Sequence, residues 1–184
     1  MIVNLKAKDS VYTLRKIKNL ISGKDSSQQI VVDGTHATST VRYLLDSLLR
    51  GVSFGKNVMA ATGSKAVIDY VSNNKEAIGF VGSSWVTNDQ DPEQKAYQNK
   101  IRFALLECNR NCDKGTFAKP SQATISYGQY PLVRPLYYIL KENATGLGTG
   151  FSNFLNLERG QLVFKRSYLV PATMYFGVRT GNIE

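Results

Sequence analysis

Short apolar runs and helix-spaced apolar stripes alternate along this 184-residue chain, and that alternation restricts its fold more than any other feature. Ile2, Val3, Asn4 and Leu5 read as a short strand. Leu14, Ile17, Leu20 and Ile21 follow at helical spacing, with Thr13 placed to cap the start and Gly23 to stop the end. Residues 29–33 carry Ile30, Val31 and Val32 in line, the pattern of a strand buried on both faces. Val41, Leu44, Leu45, Leu48 and Leu49 form the cleanest helical stripe, opened by the capping residues Thr38, Ser39 and Thr40 and ended at Gly51. A third helix is predicted from Ser64, with Val67, Tyr70 and Val71 inward and Asn73-Asn74 at its end. Strands are predicted over 77–82, 101–108 and 136–141, and the polar, proline-containing stretch 86–100 reads as a surface loop. Phe151, Phe154, Leu155 and Leu162 suggest a late helix interrupted near Gly160, before a β-like tail over 169–178. Strands alternating with helices in this way predict an α/β layered domain with a mixed sheet.

Composition removes several classes of function. Hydrophobic residues make up 42% of the chain and charged residues 20%, the balance of an ordinary globular protein. No apolar run approaches the roughly 18 residues of a membrane helix, and the opening residues hold no stretch of signal-peptide length. Two cysteines, Cys108 and Cys112, exclude a disulfide framework and a four-cysteine zinc site; a local disulfide and two free thiols both fit their spacing. His36 is the sole histidine, so a histidine-based metal site or catalytic triad lacks its partners. It is expected on a surface loop. No nucleophile–base or carboxylate pair stands out, so catalysis is not expected, nor a metal or cofactor. The 23 basic residues against 14 acidic give +9 and a pI near 9.6, a surplus that attracts anions. Arg15, Lys16 and Lys18 read as a solvated helix face, and Trp85 and the tyrosines as packing residues.

The chemistry concentrates in residues 32–42, Val-Asp-Gly-Thr-His-Ala-Thr-Ser-Thr-Val-Arg. A buried strand runs into a turn of small hydroxyl residues that opens an amphipathic helix. The first turn of a helix presents unpaired N–H groups and about half a positive charge. Thr38, Ser39 and Thr40 add hydroxyls and Arg42 a guanidinium, which together suit a tetrahedral oxyanion. Plain N-capping accounts for the same residues, so both readings stand at this point.

Asp33-Gly34 followed by Ala37-Thr38-Ser39-Thr40 resembles the ligand turn of phosphate-binding proteins, the extracytoplasmic receptors of phosphate ABC transporters. Further stretches fall in that family's order: Ile21-Ser22-Gly23-Lys24; Gly63-Ser64-Lys65 through Tyr70-Val71; Glu76-Ala77-Ile78-Gly79-Phe80-Val81-Gly82; Tyr130-Pro131-Leu132-Val133-Arg134-Pro135-Leu136-Tyr137; and Glu158-Arg159-Gly160-Gln161 to Leu169-Val170-Pro171. The resemblance spans essentially the whole chain. Two details depart from it: Thr35-His36 lengthens the turn, and Ser39 replaces a glycine. An arginine that precedes the turn in some members is absent, and Arg42 is the residue available to serve instead.

The resemblance implies a periplasmic-binding-protein-like lobe, with a mixed, mainly parallel sheet flanked by helices, plus the C-terminal remnant of a second lobe. Residues 1–135 would form ligand-binding lobe two with the first crossover strand, and 136–184 the return crossover and the end of lobe one. The N-terminal half of lobe one, with any signal sequence, would be missing, and the chain would be a fragment. The implied function is a non-enzymatic receptor in the cell envelope, periplasmic or lipid-anchored. It would bind inorganic phosphate through Thr38, Ser39, Thr40 and Arg42 and deliver it to a membrane permease. A signalling or scaffold module on the same fold is the alternative, while nucleic-acid binding would rest on net charge alone. Residues 136–184 would expose apolar surface, so the fragment is expected to form a homodimer or to have a mobile C-terminus. The helix start near Thr38 is expected to open into a cleft.

Overall fold

The computed structural model describes residues 1–34, 38–142 and 144–174. Its main element is a five-stranded sheet built from β1 (Ile2–Asn4), β3 (Gln29–Val32), β4 (Val58–Ala60), β5 (Ala77–Phe80) and β6 (Ile101–Phe103), in the order β4-β3-β5-β1-β6. β3 pairs parallel with both β4 and β5, whereas β1 runs antiparallel between β5 and β6. Four of the five strands therefore point one way, a mixed and mainly parallel sheet.

Side-chain alternation sorts the strands' residues onto two faces. Val3, Ile30, Val32, Ile78 and Phe80 pack against α1 (Leu14–Ser22), through Ile17, Leu20 and Ile21, and against the segment that starts with α2 (Ser39–Arg42). Ile2, Val31 and Ala77 face the other way, onto Val67, Ile68 and Val71 of α3 (Ser64–Asn73). Burial on both faces is why Ile30-Val31-Val32 reads as a continuous apolar run. Gly79 lets α3 close on the sheet, because a Cβ there would sit 2.8 Å from a Val71 methyl and 2.9 Å from a Val67 methyl.

Several sequence expectations are corrected. The stripe from Val41 to Leu49 continues α2 as a π-helix, Tyr43–Leu48, closed by a Leu49 N–H bond to the Leu44 carbonyl at 2.9 Å. The apolar spacing could not distinguish this wider winding from an α-helix. Tyr70, expected inward, is half-buried and donates to Gln29 Oε1, while Ile68 takes the core position. The 86–100 loop contains α4 (Pro92–Gln98): Asp91 caps it by accepting from the Glu93 and Gln94 N–H groups, and proline occupies its first turn. The single strand expected over 101–108 breaks at Ala104. Its second part, β7 (Leu105–Glu107), joins β2 (Val11–Tyr12) and β8 (Phe117–Ala118) in a separate three-stranded sheet. α5 (Gln122–Ser126) follows, with a reciprocal cap between Ser121 and Thr124. Trp85 is 43% exposed instead of packed.

Residues 136–141 form no strand, and no strand among the described residues pairs with them. Leu136, Tyr137, Tyr138, Ile139 and Leu140 are all exposed. The late helix is two helices, α6 (Leu147–Asn156) and α7 (Glu158–Arg166), broken at Leu157, not at Gly160. Gly160 lies inside α7 and lets it approach α6; a Cβ would lie 2.6 Å from the Leu155 Cα. Residues 169–174 form no strand, and the rest of the expected tail lies outside the described residues. Cys108 and Cys112 are joined as a disulfide, which resolves the alternative left open above. No helix is long and apolar enough to cross a membrane among the described residues.

Candidate anion-binding site

The C-terminal ends of the three parallel strands meet at one edge of the main sheet, the edge where open α/β sheets present ligand sites. Past β3 the chain enters Asp33-Gly34. Past β4 it enters the turn to Gly63 and the start of α3, and past β5 a single 3-10 turn, Ser83–Trp85.

Asp33 organises this edge. Thr38 Oγ1 donates to Asp33 Oδ1 at 2.8 Å, and Thr40 Oγ1 donates to Oδ2 at 3.1 Å. Ser64 Oγ reaches the same Oδ2 at 3.5 Å, so the starts of α2 and α3 converge on one carboxylate. Thr38 is also the N-cap of α2: its extended backbone lets Oγ1 accept from the Val41 N–H at 3.2 Å. Val41 is fully buried, so the core fixes the helix's rotation and aims Thr38 and Thr40 toward Asp33.

Sequence reasoning placed Thr38, Ser39, Thr40 and Arg42 in one site. The structure brings Thr38 and Thr40 together on Asp33, with both side chains half-buried. Ser39 and Arg42 are exposed, and the Arg42 side chain contacts no acid among the described residues. Asp33 orients the hydroxyls and not the guanidinium. The N–H groups of Ser39 and Thr40 have no partner among the described residues, leaving donors directed out of the helix start. Exposed Ser39 also shows that this start is not sealed beneath the core. Thr35, His36 and Ala37 lie outside the described residues. Ser64 was missed; its signal is the Gly63-Ser64 pair opening a helix, which gained meaning only once β4 was placed beside β3. Among the described residues no cluster of His, Cys, Asp and Glu is arranged to hold a metal.

The family model described as PBP superfamily domain matches residues 2–158. The chain belongs to the PBP superfamily. The phosphate-binding protein PstS of Staphylococcus haemolyticus is 30% identical over 81 residues, covering 44% of this chain and 22% of that protein. A Staphylococcus epidermidis protein of the same name is 26% identical over 109 residues, 58% of this chain and 30% of that one. This member therefore spans less than a third of the length of these curated relatives. Among solved structures, a candidate phosphate ABC transporter substrate-binding protein from Clostridium perfringens, holding bound phosphate, superposes with a TM-score of 0.64. It shares 16% identity, and the match covers 94% of this chain and 67% of the other. An ABC-type phosphate transport receptor from Vibrio cholerae gives 0.62 at 19% identity, covering 92% and 68%. At these identities the likeness establishes the fold of this PBP superfamily member.

Proposed function

We propose that this chain is part of a receptor that binds inorganic phosphate outside the cytoplasm and passes it to the membrane permease of an ABC transporter. The observation that carries the reading is the start of α2 at the C-terminal edge of the parallel strands. The N–H groups of Ser39 and Thr40, without a partner among the described residues, lie there together with exposed Ser39 and the Asp33-ordered Thr38 and Thr40. Such a site offers oriented donors and partial positive charge to a tetrahedral oxyanion, and Arg42, two residues past Thr40, supplies a full charge. The relatives named for phosphate binding support the choice of anion. The role is binding and release, without bond-making.

In this reading residues 1–135 form one jaw of a clamp, and 136–184 return to a second lobe whose other part lies outside this chain. The length of the solved receptors supports this division, since about a third of each has no counterpart here. An envelope location, periplasmic or lipid-anchored, agrees with the Cys108–Cys112 disulfide, because such bonds persist in oxidising compartments.

The test is calorimetric titration of inorganic phosphate into the full-length protein carrying this chain. Binding is expected, and Thr40→Val combined with Arg42→Ala should weaken it by at least about 1.5–3 kcal/mol, the contribution of one charge-assisted hydrogen bond from Arg42, with a further loss as Asp33 loses a donor that orders the helix start. Unchanged affinity in the double variant would refute the site. A second reading, a scaffold or signalling module, draws on one observation: both threonine hydroxyls already donate to Asp33. Absence of any oxyanion binding by the full-length protein would select it.

A further inference from the structure

At the end of the sheet opposite Asp33, where α1 leads into β3 and the π-helix leads toward β4, lies an open groove of about 490 Å³. Arg15, Lys18 and Ser22 line one wall at helical spacing, Lys24 stands past the helix end, and Arg50 and Val52 line the opposite wall. Four cations thus share one groove, and among the described residues no acidic one lines it. Ion pairs among the described residues are Lys16–Asp9 and Lys65–Glu93, so none of the four is neutralised within the described chain. Arg50 is also held at φ 54°, in the left-handed region, and Gly51 follows at φ 86°. For a non-glycine residue that conformation is disfavoured, because Cβ crowds the following carbonyl oxygen. The chain therefore keeps a disfavoured backbone at a residue whose side chain lines the groove.

We propose that this groove binds a multiply charged, phosphate-bearing anion across Arg15, Lys18, Lys24 and Arg50. Charge count selects the ligand class. A single phosphate group brings about −1.5 to −2, too little for four cations, whereas linked or closely spaced phosphates match them. Among the described residues no aromatic one lines the groove to stack a base, which disfavours nucleotides and nucleic acid. Two sources supply the required chemistry: a soluble condensed phosphate, and the headgroups of an anionic phospholipid surface. The groove and the Asp33 edge lie at opposite ends of the sheet, so this proposal stands independently of the phosphate-receptor reading.

Tripolyphosphate titration by calorimetry, and co-sedimentation with phosphatidylglycerol or phosphatidylcholine vesicles, distinguish the two sources. Binding to tripolyphosphate or to phosphatidylglycerol vesicles, but not to phosphatidylcholine, is expected. Lys18→Glu should weaken it at least tenfold, while Lys75→Glu, the same charge change in the turn from α3 to β5, where α3 packs on the sheet face opposite α1, should alter it less than twofold. Arg50→Gly should also weaken binding while leaving thermal stability equal or higher, because it relieves the backbone, and this separates lost binding from lost folding. Equal losses in Lys18→Glu and Lys75→Glu would overturn the proposal in favour of diffuse attraction by the +9 charge, and no binding to either anion would also overturn it.

Discussion

Asn4 shows how much one polar side chain can organise. It is buried at the end of β1, where its Nδ2 donates to the carbonyls of Val71 at 2.9 Å and Ser72 at 2.8 Å, and its Oδ1 accepts from the Lys6 N–H. It thereby satisfies the Ser72 carbonyl at the C-terminal end of α3 and adds a donor to that of Val71, which also accepts from the Asn74 N–H at 3.4 Å. Asn4→Ala would strand the Ser72 carbonyl and the Lys6 N–H, at about 1–3 kcal/mol. Urea denaturation should show a lower midpoint with unchanged slope; an unaltered midpoint would remove Asn4 from this role. Asp33 plays the corresponding part at the site edge, with one carboxylate ordering hydroxyls from two helix starts.

Among elements, the 136–174 arm contrasts with the rest. α6 buries none of its residues, although Leu147, Phe151 and Phe154 line it, and Ile139 just before it is 94% exposed. Phe151 and Phe154 stack on each other with ring centroids 6.3 Å apart, which covers only part of that surface. A contiguous apolar strip of this kind is ordinarily covered by partner polypeptide. In the clamp reading the rest of lobe one covers it. Expressed alone, the chain is expected to cover it by self-association. Light scattering should therefore give a dimer or larger species, and Ile139→Ser with Phe151→Ser should shift it toward monomer. A monomeric parent chain would contradict this account of the arm.

For the 184-residue chain expressed by itself, one buried ionisable group is the Met1 amine. It is buried with the Tyr130 hydroxyl at 3.3 Å as its partner, and burial lowers its pKa from 8.0 to about 5. Between those values the unfolded chain takes up a proton that the native amine refuses. Stability is then greatest above pH 8 and falls as the pH is lowered toward 5, by about 1.4 kcal/mol per unit and up to about 4 kcal/mol in all. Denaturant midpoints at pH 8.5, 6.5 and 5 for the chain with a free amine at Met1 check this. A flat or opposite trend would show that the amine is solvated in the native state.

Periodicity along the chain was enough to place β1, α1, β3, α3 and β5, because each combines a clear repeat with a local stop or cap, as Thr13 and Gly23 do for α1. The hydroxyl-rich helix start at Thr38 was legible for the same reason: hydroxyls stacked at a helix start follow directly from residue order. What residue order could not show was which atoms those hydroxyls face. Thr38 and Thr40 turn to Asp33 because buried Val41 fixes the helix on the sheet, and Ser64 joins them because β4 pairs beside β3. The same limit explains the misread strands. A strand needs a neighbour, so the apolar run at 136–140, with none among the described residues, forms no strand, while the two residues of β2 become one by pairing with β7. Residue order sets local preference, and pairing partners far along the chain decide whether that preference is realised.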